Sequence, residues 1–222
     1  MRNKLKLRPA QRVQPWHTCA WQLQSLLLGY PDEQQAGHLT LARRAAPGLP
    51  APVRDPLLRF TEHAENTGAE ALATAYVATF DHRKRCCPYL TYYAHGDTRK
   101  RGLALVRLKQ TYAKGGLRLT DDELPDHLAV VLEFAATDPA AGLKLLTAHR
   151  AGLELLRLAL HEENSPWAGL LDSVSATLPA LAGDEREAVA RLAAEGPPEE
   201  QVGLDPYAPP QYTPAPSAGG PR

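Results

Sequence analysis

Long apolar runs, paired cysteines and net charge are all missing from this 222-residue chain, and each absence narrows what it can be. No stretch approaches the roughly 20 apolar residues of a membrane span. The N-terminus is basic (Arg2, Lys4, Lys6, Arg8, Arg12), but the run from Trp16 to Leu28 behind it is broken by Gln22, Gln24 and Ser25. It therefore forms no secretory core segment. The three cysteines, Cys19, Cys86 and Cys87, provide neither an even framework nor a C-x-x-C pair, and adjacent thiols close only a strained ring. A reducing compartment is expected, which makes the chain cytoplasmic, with no stable membrane association. Lys+Arg and Asp+Glu balance at 25 each, so global charge draws it to no nucleic acid. It has no G-x-S-x-G, no glycine-rich phosphate loop and no H-E-x-x-H, which weighs against an enzyme. Nor is there a run of β-branched alternation, so the fold should be all-α.

What is present is helical periodicity. With 44% hydrophobic residues, the chain can bury one substantial core in a single domain. Trp16, Ala20, Leu23 and Leu27 share a face, and Gly29 with Pro31 signals a stop. A second helix is predicted over 32–44, closed by Pro47 and Gly48. Val53, Leu57, Phe60 and Ala64 mark a third, and Leu72, Tyr76 and Phe80 a fourth. Asp97 reads as the N-cap of a long helix with the stripe Leu105, Leu108 and Tyr112, ending at Gly115 and Gly116. Leu128, Val131, Leu132 and Ala135 mark the next. Asp138-Pro139 and Ser165-Pro166 have the cap-then-proline order of a helix start, and Leu143, Leu146, Leu153, Leu156 and Leu160 supply apolar faces. Asp184 and Glu187 have capping-box spacing ahead of Val189 and Leu192. Residues 1–12 read as a basic flexible arm, 13–195 as the helical domain, and 196–222 as a proline-rich tail too poor in aliphatics to order itself.

The segment 76–136 concentrates basic, aromatic and acidic residues without catalytic spacing. Proline belongs in a first turn rather than a helix interior, so Asp122 is predicted as N-cap with Pro125 third in the helix. Carboxylates at that end complement the helix dipole and need no further purpose. Alternatively Glu123 and His127, one turn apart, join Asp126 in an acidic mouth for a cationic group, and an arginine-bearing peptide would suit it. His127, beside two carboxylates, is expected to titrate near neutrality. Arg99, Lys100 and Arg101 oppose the dipole of their own helix and need either Asp97 and Asp121-Asp122 or acidic groups of a partner. His82, Cys86, Cys87 and His95 contain no repeated ligand pair, so no metal site is read there.

Several of these residues carry a resemblance. Tyr76-Val77 with Phe80, Tyr92, His95-Gly96-Asp97-Thr98-Arg99 with Arg101-Gly102, Leu117 with Leu119, and Glu123-Leu124-Pro125-Asp126-His127-Leu128 with Leu132-Glu133 closely resemble the NarJ family, the nitrate reductase delta subunit. That family lies within the TorD/DmsD-like maturation chaperones of redox enzymes. The likeness runs more loosely from Leu26 to Leu192. It implies a TorD-like helical bundle without catalytic activity or a cofactor of its own. The implied partner is the alpha subunit of the respiratory nitrate reductase, bound through its N-terminal peptide while molybdenum cofactor and iron-sulfur cluster are inserted, before membrane docking. On the resemblance, Glu123, Pro125, Asp126 and His127 map to the peptide-binding region, although this chain reads E-L-P-D-H where TorD relatives read E-P-x-D-H. An apolar groove lined by Tyr76, Phe80 and Tyr92, with Arg99 and Arg101 nearby, completes the expected peptide site. The alternative from another class is a helical metal-dependent hydrolase using Asp126 and His127.

Overall fold

Trp21 and Trp167 are both completely buried, and the helices around them organise the protein. The computed structural model describes residues 12–119 and 123–198. The predicted basic arm up to residue 11, the tail from 199 and the Asp121-Asp122 pair lie outside the described residues.

Eleven α-helices are present among the described residues, with no strand: α1 (Pro15–Leu28), α2 (Gln35–Ala45), α3 (Ala51–Thr67), α4 (Ala69–Phe80), α5 (Leu90–His95), α6 (Arg99–Lys114), α7 (Leu128–Thr137), α8 (Pro139–Ala148), α9 (Arg150–Glu162), α10 (Ala168–Ala176) and α11 (Gly183–Glu195). Single turns of 3-10 helix occur at Ala46–Gly48 and Lys84–Cys86. α1 is central: it packs most extensively on α7 and also touches α2, α3 and α10, while α3 lies along α10. The stripes read from the sequence form this interface, with Ala20, Leu23, Leu27, Val53, Leu57, Phe60, Leu72, Leu132 and Leu156 all buried. Complete burial of one such leucine contributes about 2 kcal/mol.

Buried polar groups then fix the register. Trp21 Nε1 donates to Thr177 Oγ1 at 2.9 Å, Gln24 Nε2 to Ser173 Oγ at 2.8 Å, and Ser173 Oγ to the Val53 carbonyl at 2.8 Å. These bonds link α1, α3 and α10, because a buried donor left unpaired costs more than the bond itself contributes. At the next interface, α9 is tied to α10 through Arg150, Glu154 and Ser175 and through Arg157 and Asp172. A smaller second core joins α6 to α7 through Leu108, Tyr112, Val130 and Phe134.

Helix starts differ from expectation at several places. Asp97 is not the cap of α6: Thr98 holds that position, and the Asp97 carboxylate instead pairs with Arg101 at 3.0 Å, one turn into the helix. That pair offsets the basic first turn which the sequence left unbalanced. Leu105 of the predicted stripe is only half-buried. α2 begins at Gln35 rather than at Asp32, whose carboxylate accepts from the Gln34 N–H at 2.8 Å in a preceding turn. In α11 the capping carboxylate is Glu185, accepting from Ala182 N–H at 2.6 Å, and not the Asp184/Glu187 pair. Asp138 caps α8 as predicted, accepting from Ala141 N–H at 3.1 Å. α10 starts at Ala168, two residues after the Ser165-Pro166 signal.

Candidate functional site

Pro125 is not in a helix. The residue before a proline is driven towards extended backbone, and here 123–126 form a loop that ends where His127 caps α7. The loop is held from three directions. Its backbone pairs with the segment after Cys87: Leu90 N–H donates to Asp126 O and Leu128 N–H to Pro88 O, each at 2.9 Å, around a bridge between Tyr89 and His127. From α6, Tyr112 Oη donates to the Pro125 carbonyl at 2.6 Å inside the protein. From α5 and α6, Thr91 Oγ1 donates to Asp126 Oδ2 and Arg101 Nη2 reaches it at 3.4 Å.

Asp126 is therefore completely enclosed, and its carboxylate faces Thr91 and Arg101 rather than a mouth. Arg101 also stacks over the Tyr89 ring, 5.5 Å from its centroid. The acidic trio expected from helical spacing is thus split, since Asp126 points inward while Glu123 is exposed. His127 is mostly enclosed. Its Nδ1 accepts from Ala129 N–H at 3.3 Å, so the ring proton sits on Nε2, 3.3 Å from Tyr76 Oη. The Tyr76 hydroxyl accepts that proton and donates to the Leu28 carbonyl at 3.3 Å. This chain requires a neutral ring. Burial pushes His127 down to about 4, with Asp126 and Asp81 only partly opposing it, which overturns the expectation of titration near neutrality.

Tyr76, His127 and Glu123 line one cavity of about 300 Å³, together with Tyr30, Asp81, Tyr89 and Leu124. Tyr30 stands edge-on to Tyr76 with centroids 5.5 Å apart and is 55% exposed, so it forms a rim. Asp81 and Glu123 have no cationic partner among the described residues, and their charges add to burial in pushing the Tyr76 phenol upward. The cavity thus offers aromatic faces, two uncompensated carboxylates and a neutral imidazole, a combination suited to one cationic side chain flanked by apolar groups.

The remaining expected groove does not assemble. Phe80 is core, packed on Tyr76 and Trp167 with centroids 4.6 and 5.5 Å away. Tyr92 lines a different cavity beside α9. Arg99 is exposed, whereas Arg101 is committed to Asp97 and Asp126. Among the described residues no three His, Cys, Asp or Glu side chains gather as metal ligands, and Asp126 and His127 turn to different partners. Sequence reasoning missed Tyr30 and Asp81. Tyr30 was hidden in a stop signal, Gly29 to Pro31, and Asp81 directly follows the stripe that ends at Phe80.

Residues 46–172 match the model of the family described as nitrate reductase delta subunit, a span that contains Tyr76, Asp81, Tyr89, Glu123 and His127. The chain belongs to the nitrate reductase delta subunit family. Its curated relatives include the nitrate reductase-like protein NarX of Mycobacterium tuberculosis, 39% identical over 163 residues, which are 73% of this chain and 24% of that protein. The chain therefore spans about a quarter of the NarX length. The NarJ protein of Bacillus subtilis is 35% identical over 156 residues, covering 69% of this chain and 85% of the relative. The nitrate reductase molybdenum cofactor assembly chaperone NarJ of Escherichia coli K12 is 32% identical over 155 residues, 67% of this chain and 64% of that one. Among solved structures, a protein from Archaeoglobus fulgidus described as a redox enzyme maturation protein superposes with a TM-score of 0.53 at 24% identity. The superposition covers 84% of this chain and 99% of that one, so the two share a fold. No helix of this delta subunit family member is long and apolar enough, among the described residues, to cross a membrane.

Proposed function

We propose that the protein is an assembly chaperone of nitrate reductase. It binds the N-terminal peptide of the catalytic alpha subunit in the cytoplasm and supports molybdenum cofactor and iron-sulfur cluster insertion before that subunit docks at the membrane. The observation that carries this reading is the family match over residues 46–172, joined to the names of the NarJ relatives. The chemistry of the cavity is in keeping with it: Asp81 and Glu123 receive a basic side chain of the peptide, and Tyr30, Tyr76 and Tyr89 flank its apolar stem.

Binding here is recognition without chemistry, so it must be reversible on the timescale of assembly. Two exposed carboxylates with aromatic neighbours meet that requirement, since each rim ion pair adds only about 0.2–1 kcal/mol. The test is to co-express the chain with the catalytic subunit and measure complex formation and bound molybdenum. Molybdenum loading should fall when the chain is omitted, and unchanged loading without it overturns the reading. Titration of a synthetic N-terminal peptide against an Asp81→Asn, Glu123→Gln double variant should show a several-fold loss of affinity and a weaker salt dependence.

A further inference from the structure

A second cavity, of about 250 Å³, lies between α9 and α11. Leu155 and Leu158 of α9, Tyr92 of α5 and Leu192 of α11 form its apolar walls, and Leu158 is 42% exposed, so the groove opens to solvent. The helix covering this groove is weakly held. None of the α11 residues is fully buried. Its half-buried positions are Glu185, Ala188, Val189 and Leu192, a single stripe of an amphipathic helix. Among the described residues no salt bridge or side-chain hydrogen bond joins α11 to the rest of the fold; the Glu185 hydrogen bond is internal to the helix start, and Glu185 acts on Arg150 of α9 only through a longer-range charge attraction. α9, by contrast, is locked to α10 by the Arg150, Glu154, Arg157 and Asp172 network. Beyond α11 the chain turns at Gly196, φ +74°, and crosses Gly96, where the Pro198 carbonyl takes the space that a Cβ would need.

An element held by one apolar stripe, with no salt bridge or side-chain hydrogen bond to its neighbours, is the one that opens first. It also displays what its groove accepts: an amphipathic helix with anchors at one-turn spacing. We propose that the groove on α9 is a helix-docking surface, and that α11 is a displaceable stand-in for an amphipathic helix of the nitrate reductase catalytic subunit. This rests on the chaperone reading above and adds where the helical part of the client lies and what it must displace. The segment between Lys84 and His95 links the two surfaces, with Pro88 and Tyr89 on the first cavity and Lys84, Arg85, Tyr92 and Tyr93 on the second. One client segment can therefore engage both.

The test uses the full chain and a fluorescent copy of residues 183–198. In the wild type, hydrogen exchange of the α11 amides should be at least tenfold faster than that of the buried positions of α9. The labelled peptide should bind a Leu192→Asp chain at least tenfold more tightly than the wild type, whose groove is filled by its own α11, with Leu192→Ala intermediate. A synthetic N-terminal peptide of the catalytic subunit should displace it. The proposal is overturned if α11 exchanges as slowly as α9, if the labelled peptide binds the wild type and Leu192→Asp equally, or if the catalytic-subunit peptide binds the chain without displacing the label. In that last case the chaperone reading survives. If the catalytic-subunit peptide binds no form of the chain, it is the chaperone reading that falls.

Discussion

Replacing Asp126 by asparagine keeps the shape of a side chain that is completely enclosed and removes its charge. What is lost is the charge facing Arg101 Nη2 at 3.4 Å; the amide oxygen still accepts from Thr91 Oγ1, while the new NH2 takes the place of Oδ1, which has no hydrogen-bond partner among the described residues. Removing one partner of a buried pair costs about 3–5 kcal/mol when the other charge is stranded. Here Arg101 is 18% exposed and retains Asp97 at 3.0 Å, so the loss should be smaller. About 2–3 kcal/mol is expected, which for a chain of this size lowers Tm by about 5–10 °C. The assay is urea and thermal denaturation followed by circular dichroism, with peptide affinity measured at low temperature on folded protein. In a double-mutant cycle, Arg101→Met in the Asp126→Asn background should cost at least about 1 kcal/mol less than in the wild type. If the Asn variant melted within a degree of the wild type yet lost the peptide, the carboxylate would be working outward and its internal role would be refuted.

Three further outcomes follow from named contacts. The folded pKa of His127, about 4, lies below the unfolded value near 6.5, so the unfolded chain takes up the proton first. Stability from the buried neutral ring is complete above about pH 6.5 and is lost as pH falls towards 4, by up to about 3 kcal/mol. A His127→Gln variant should lack that segment of the stability profile between pH 6.5 and 4, and the client affinity of the wild type should show no step at neutrality from this ring. A methyl group on Gly142 would fall on Ala135 Cα and Cβ where α8 meets α7, so Gly142→Ala should destabilise by about 1–3 kcal/mol in urea titrations. Burial pushes the thiols of Cys19 and Cys86 up and that of Cys87 up to about 11, so native-state alkylation at pH 8 should be slow for all three and rapid in urea, as peptide mass spectrometry would report.

The helices were legible because apolar periodicity is a local property. The stripes Val53, Leu57, Phe60, Ala64 and Leu128, Val131, Leu132, Ala135 are buried as their spacing demands. Helix starts were less legible. Capping is decided among competing acceptors within a few residues, and Asp97 was claimed by Arg101 instead of by the backbone. The Leu124-Pro125 step did carry a readable signal, the extended bias before proline, which argues against a helix there. Family membership was also written in the chain, in the H-G-D-T-R and E-L-P-D-H segments.

Tertiary structure alone decided which members of those segments face a partner. Nothing in E-L-P-D-H distinguishes an inward carboxylate from an outward one. The hydroxyl of Thr91 and the guanidinium of Arg101, distant in sequence, turn Asp126 inside, and burial keeps the His127 ring neutral. The cavity unites Tyr30, Tyr76, Asp81, Tyr89 and Glu123 from three separate stretches of chain, and no local period relates them. Sequence determined an all-helical member of the nitrate reductase delta subunit family, because periodicity and motif are local. The choice between core and contact residue fell to packing, because charge and exposure belong to the neighbours that the fold supplies.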